Sequence, residues 1–167
     1  MRRYLSVRWT TMLLGPAVLA AAAAGPAAAQ DLGLFGWGIR GGLSASPDQL
    51  FVGAHLEMGE VAPHLFLRPN LEIGAGDDET DIALQAGLHY ELAGRVHRWT
   101  PYAGGELGIV YRDFDRPRGG DTDDTGLALN AVAGLQTGLA GGDRLFFEAK
   151  VGLAEKPRLK LLVGWTF

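Results

Sequence analysis

From Trp37 to the C-terminus, apolar residues recur at every second position in segments separated by clusters of Gly, Pro and Asp. A period of two puts the apolar side chains of a segment on one face of an extended strand and the intervening residues on the other. The apolar parity reads Trp37, Ile39, Leu43; Leu50, Val52, Ala54, Leu56, Met58; Leu65, Leu67, Leu71, Ile73; and Ile82, Leu84, Ala86, Leu88, Tyr90. It continues through Ala103, Leu107, Ile109, Tyr111; Leu127, Leu129, Ala131, Ala133, Leu135; Leu145, Phe147, Ala149, Val151; and Leu159, Leu161, Val163, Trp165, Phe167. These segments predict about eight strands of roughly ten residues each, the length at which a tilted strand crosses a bilayer.

The opposite parity carries Arg40, His55, Glu57, Arg68, Asn70, Glu72, Gln85, His89, Glu91, Glu106, Arg112, Asn130, Gln136, Glu148, Lys150 and Lys160, interspersed with glycines. A soluble barrel or sandwich turns the apolar face inward, whereas a membrane barrel turns it to lipid and the charged face to the lumen. Three features favour the membrane form. The charges balance, with Arg40, Arg68, Arg112, Lys150 and Lys160 against Glu57, Glu72, Glu91, Glu106 and Glu148, and buried charges persist only when paired. Glycines such as Gly38, Gly104, Gly134 and Gly164 share that parity and leave room for long side chains in a narrow lumen. Aromatics of the apolar parity fall at strand ends, as interfacial girdles require. With the N-terminus in the periplasm, Trp37, Tyr90, Trp165 and Phe167 share the periplasmic rim and Tyr111 takes the other.

Connections sort accordingly into periplasmic turns near Gly59 to Pro63, Ala93 to Trp99 and Ala140 to Asp143, and outer ones near Pro47-Asp48, Ala75 to Glu79, Phe114 to Asp124 and Ala154 to Pro157. Before the strands, Arg2, Arg3 and Arg8 precede an apolar stretch, then Gly25-Pro26 and Ala27-Ala28-Ala29. A basic segment, an apolar core and a small-residue site make residues 1–29 a secretory leader, cleaved after Ala29, with 30–167 a single barrel domain. The leader takes three arginines and no acids from 15 basic and 19 acidic residues, which leaves a mature charge of −7 and argues against nucleic acid as a partner. No cysteine is present, which excludes a disulfide framework, a thiolate metal site and a Cys nucleophile.

The run Leu159, Leu161, Val163, Trp165, Phe167 resembles the terminal recognition strand of bacterial outer-membrane barrels. With the leader and the strand count, the whole mature chain resembles the small eight-stranded barrels of the OmpA/OmpX type, without a peptidoglycan-binding domain. The resemblance implies an all-β, antiparallel up-and-down transmembrane barrel in the outer membrane. It also implies that the barrel-assembly machinery reads the terminal strand, and that outer-membrane lipids and lipopolysaccharide surround the protein.

Enzymatic chemistry finds little support. A serine hydrolase needs a hydroxyl beside a His and an acid, yet the mature serines are Ser44 and Ser46, in no such arrangement with His55, His64, His89 or His97. His55-x-Glu57 and His89-x-Glu91 point both side chains inward at adjacent levels, and two ligands fall short of a metal site, so no cofactor is expected. In the long loop, Asp113, Asp115, Asp121, Asp123 and Asp124 match no calcium-loop spacing, while Arg116 and Arg118 suit lipopolysaccharide phosphates. The expectation is a non-enzymatic envelope barrel with an ion-paired, side-chain-filled lumen and a structural or surface-interaction role. The alternatives are a narrow pore or transporter for small solutes or apolar compounds, and a soluble lipocalin-like carrier.

Overall fold

A computed structural model of the chain describes residues 31–45, 48–76, 79–114, 123–154 and 159–167. The leader assignment for residues 1–29, most of the long loop with Asp115, Arg116, Arg118 and Asp121, and Ser46 therefore lie outside the described residues. Eight antiparallel strands run in chain order: β1 (Asp31–Ala45), β2 (Gln49–Ala62), β3 (Leu65–Gly76), β4 (Glu79–Glu91), β5 (Thr100–Phe114), β6 (Asp123–Gly138), β7 (Arg144–Gly152) and β8 (Leu159–Thr166). Each pairs with its neighbours, and β1 pairs with β8, from Gly38↔Thr166 to Ala45↔Leu159, to close the barrel. Closure leaves no free lateral edge where strands are paired, so backbone groups are satisfied within the sheet.

Period two sets the two faces. Leu50, Val52, Ile73, Ile82, Leu84, Ile109, Leu127 and Leu161 are exposed on the outside, and the charged parity is buried or half-buried inside. Large apolar residues are thus exposed on all eight strands, whereas a water-soluble monomer ordinarily keeps its apolar patches to about a few hundred Å². At one end, here the turn end, lie the C-terminus and the connections 63–64, 92–99 and 139–143; the other is the loop end. Trp37 and Phe167 meet at 4.8 Å between ring centroids at the turn end, and Phe167 N donates to Trp37 O at 2.8 Å. Trp165 and Tyr90 belong to the same end, whereas Tyr111, opposite Ile82 and Thr125, lies toward the loop end.

Three local features depart from the sequence reading. Strand β1 begins at Asp31, upstream of Trp37, because the apolar parity switches from Leu32 and Leu34 to Phe35 and Trp37 across a bulge between Leu32 and Gly36. Gly59 is not in a turn but inside β2, at φ 84° in an irregular stretch of pairing, and the turn proper is Pro63-His64. A bulge takes a residue at positive φ most cheaply when it is glycine. Strand lengths run from 8 to 16 residues instead of a uniform ten or so. As a result β6 pairs with β5 up to Asp113↔Asp123 but with β7 only from Asn130↔Gly152, so the rim is stepped at the β6–β7 seam.

Candidate functional site

The lumen is the one place where chemistry-bearing side chains converge among the described residues, and register decides how. Arg40 lies between Gly53 and Gly164, Glu72 between Gly53 and Ala83, Glu106 between Gly87 and Asn130, and Glu148 between Gly134 and Leu162. Each long side chain thus crosses the lumen over a small neighbour, as an eight-stranded interior demands.

At mid-height, Lys150 Nζ is 2.5 Å from Glu72 Oε1, 2.7 Å from Glu106 Oε2 and 3.7 Å from Glu148 Oε1. Lys160, directly opposite Lys150 across β7–β8, reaches Glu72 Oε2 at 3.1 Å. Glu72 therefore separates two lysines that would otherwise repel. Arg40 NH1 stands 3.5 to 3.7 Å from Glu72, Glu106 and Glu148, an ion contact without a direct hydrogen bond, and its guanidinium lies 5.5 Å from the Phe146 ring centre. Three cations face three carboxylates, with side chains of Arg40, Lys150 and all three glutamates 0 or 1% exposed.

Toward the turn end, Arg68 Nε is 2.8 Å from Glu57 Oε1, Arg68 NH2 donates to Gln136 Oε1 at 3.2 Å, and Arg144 NH2 is 3.6 Å from Glu57 Oε2. Among the described residues Glu91 forms no ion pair; it accepts from Gln136 Nε2 at 2.5 Å, and the same amide accepts from Arg68, so Gln136 bridges the two. Toward the loop end, Arg112 lies between Asp81 and Asp124, with NH1 3.3 Å from Asp124 Oδ2 and Nε 3.7 Å from Glu79 Oε1. Arg144, Glu79, Asp81 and Asp124 lie beside these groups, although the charge pattern of the sequence does not single them out.

Three aromatic rings also lie outside that charge pattern. Phe51, Tyr102 and Phe146 are buried in the lumen and pack with Val132 and Leu162. Their signal was parity: Phe51 shares it with His55, Tyr102 with Glu106, and Phe146 with Glu148. A Cβ on Gly134 would overlap the Tyr102 ring, and one on Gly164 the Phe146 ring, so the missing side chains are what admit the rings. Tyr102 Oη donates to Glu148 Oε2 at 2.7 Å and joins the aromatic and ionic groups.

The histidines are absorbed by the same packing. His55 Nε2 shares a hydrogen bond of 2.9 Å with Thr166 Oγ1, and His89 stacks on Tyr102 at 5.2 Å. Among the described residues no three His, Asp or Glu side chains converge as metal ligands. Ser44 is buried near the loop end, opposite Gln49 and Lys160, and His64 and His97 belong to turns at the other end. Leu159, Leu161, Val163 and Trp165 lie on the outer face of β8, and Phe167, one residue past its end, is exposed with them.

No family model matches the chain, and no curated protein matches it in sequence. Among solved structures, Neisserial surface protein A (NspA) aligns with 78% of this chain and 93% of its own, at 13% identity and TM-score 0.61. The N-terminal β-barrel domain of Pseudomonas aeruginosa OprF aligns at 14% identity over 79% and 97% of the two chains, with TM-score 0.49. The outer membrane enzyme PagL aligns at 12% identity over 79% and 98%, with TM-score 0.45. The likeness to NspA is one of fold: the chain is a small, closed, eight-stranded antiparallel barrel.

Proposed function

We propose that this protein is an integral outer-membrane barrel without enzymatic activity, serving the envelope in a structural or surface-interaction role. The observation that carries the reading is the apolar belt on the outside of a barrel whose interior is charged. In water that belt is a large unfavourable interface, and in lipid it is the only surface with which a closed sheet crosses a bilayer. The rings of Trp37, Trp165 and Phe167 at the turn end suit the interface between hydrocarbon and headgroups.

In this reading residues 1–29 are removed on export, the turn end faces the periplasm, and the terminal strand with Leu159, Leu161, Val163, Trp165 and Phe167 is the segment the assembly machinery recognises. Outer-membrane phospholipid and lipopolysaccharide are its surroundings. The lumen groups Arg40, Glu57, Arg68, Glu72, Glu91, Glu106, Arg112, Glu148, Lys150 and Lys160 hold the strands together from within and do not conduct. A pore or transport role is disfavoured by Lys150 and Arg40 meeting three glutamates across the middle of the lumen.

Cell fractionation with a heat-modifiability gel tests the membrane assignment, for which a detergent-resistant folded band in the outer-membrane fraction is expected. Recovery in the soluble periplasm without such a band would favour the carrier reading instead. Planar-bilayer recording then separates plug from pore, and steady unitary currents from the purified barrel would refute a closed lumen.

A further inference from the structure

The connection between β4 and β5, residues 92–99, differs from the other connections at the turn end in carrying uncompensated positive charge. It is a built turn: Val96 and Trp99 exchange backbone hydrogen bonds of 2.9 and 3.1 Å, Leu92 N donates to Pro101 O at 2.9 Å, and Thr137 Oγ1 of β6 donates to Arg98 O at 3.0 Å. Its side chains divide by chemistry. Leu92 and Val96 are exposed, and Trp99 is half-buried with its ring centre 5.6 Å from that of Phe147 on the outer apolar face. Arg95 and Arg98 are exposed and, among the described residues, form no ion pair; the Arg98 guanidinium lies 5.7 Å from the Trp99 ring centre.

Nearby carboxylates are otherwise engaged, Glu91 with Gln136 and Asp143 with Trp165 Nε1 at 3.1 Å. At the loop end the described exposed charges Asp48, Asp113 and Asp124 have the opposite sign. Among the described residues, the exposed charges at the two ends of the barrel are therefore of opposite sign.

We propose that residues 92–99 form a docking surface for the headgroups of anionic phospholipids in the leaflet at the turn end, a proposal that rests on the membrane reading above. Arg95 and Arg98 meet the headgroup phosphates, while Leu92, Val96 and Trp99 enter the boundary between headgroup and acyl chain. Guanidinium groups pair well with phosphate oxygens, and an arginine at an anionic surface strengthens attachment about fivefold. Trp99 sets the depth at which the pair works, since an indole settles at the interface and Arg98 is held beside it.

The test uses the full barrel folded in a neutral detergent, with native mass spectrometry to count bound phosphatidylglycerol and phosphatidylcholine. Wild type should prefer phosphatidylglycerol, and Arg95→Gln/Arg98→Gln should weaken that preference about 25-fold, from about fivefold at each of the two positions. Arg95→Lys/Arg98→Lys should retain most of it, because charge carries the effect. Equal binding of the two lipids by wild type, or an unchanged preference in the Gln/Gln variant with its heat-modifiable band intact, would overturn the proposal. Insertion of wild type into pure phosphatidylcholine vesicles keeps the two ideas apart. If wild type inserts there but shows no lipid preference, only the docking surface fails; if it inserts into no vesicle, the membrane reading fails and the docking surface with it.

Discussion

The middle of the lumen and its loop end use the same chemistry in different solvents. Around Lys150, cations and carboxylates meet with side chains 0 or 1% exposed. Around Arg112, the partner Asp124 has a side chain 57% exposed. An ion pair withdrawn from water has lost its hydration and depends on its partner, while a pair at the mouth keeps water as a substitute. Residues of equal charge therefore differ in how much of the fold they hold.

The largest expected effect comes from breaking the dry cluster at the carboxylate that meets three cations. Glu72→Ala leaves Lys150, Lys160 and Arg40 facing one another with one carboxylate fewer, and should cost about 3–5 kcal/mol. Urea unfolding of the barrel in lipid vesicles reads this directly, and a midpoint no lower than that of Asp124→Ala would contradict the contrast between the two regions. Tyr102→Phe removes the 2.7 Å hydrogen bond to Glu148 while keeping the ring, for an expected loss of about 2 kcal/mol in the same assay.

A smaller effect probes packing instead of charge. Gly164→Ala places a methyl against the Phe146 ring, and crowding of this kind costs about 1–2 kcal/mol. In a Phe146→Leu background the same substitution should cost less, and strict additivity of the two changes would show that the ring and the glycine are not coupled. Smallest is Asp124→Ala at the mouth, expected at about 0–1 kcal/mol and shrinking further in about 1 M salt, where exposed pairs are screened. The Glu72→Ala shift should hardly respond to salt, and a parallel response of the two variants would remove the distinction.

Much of this was legible in the chain because a strand reports its faces through alternation. Parity puts Arg40, Glu57, Arg68, Glu72, Glu106, Glu148 and Lys150 on one face, and all are buried. Phe51, Tyr102 and Phe146 share the inward parity, but room for the rings of Tyr102 and Phe146 comes from the glycines paired with them on the next strand, Gly134 and Gly164, and that pairing is set by register. The displaced features have local causes. Gly59 reads as a turn residue because glycine serves turns and bulges equally, and only the pairing of β2 with β3 distinguishes them. The start of β1 was hidden by the parity switch at its bulge.

The sequence by itself determined the period, and with it the strand count, the apolar and polar sets of each strand and the supply of glycines, because these depend only on spacing within a strand. Only the tertiary structure decided that Lys150 meets Glu72 and Glu106, that Glu91 meets Gln136, and that Gly164 lies under Phe146. Those contacts join residues as far as 78 positions apart, and each depends on the register of every hairpin between them. A one-residue slip in any hairpin would turn the following faces inside out, so the partners are fixed by the closed barrel as a whole and not by any segment of it.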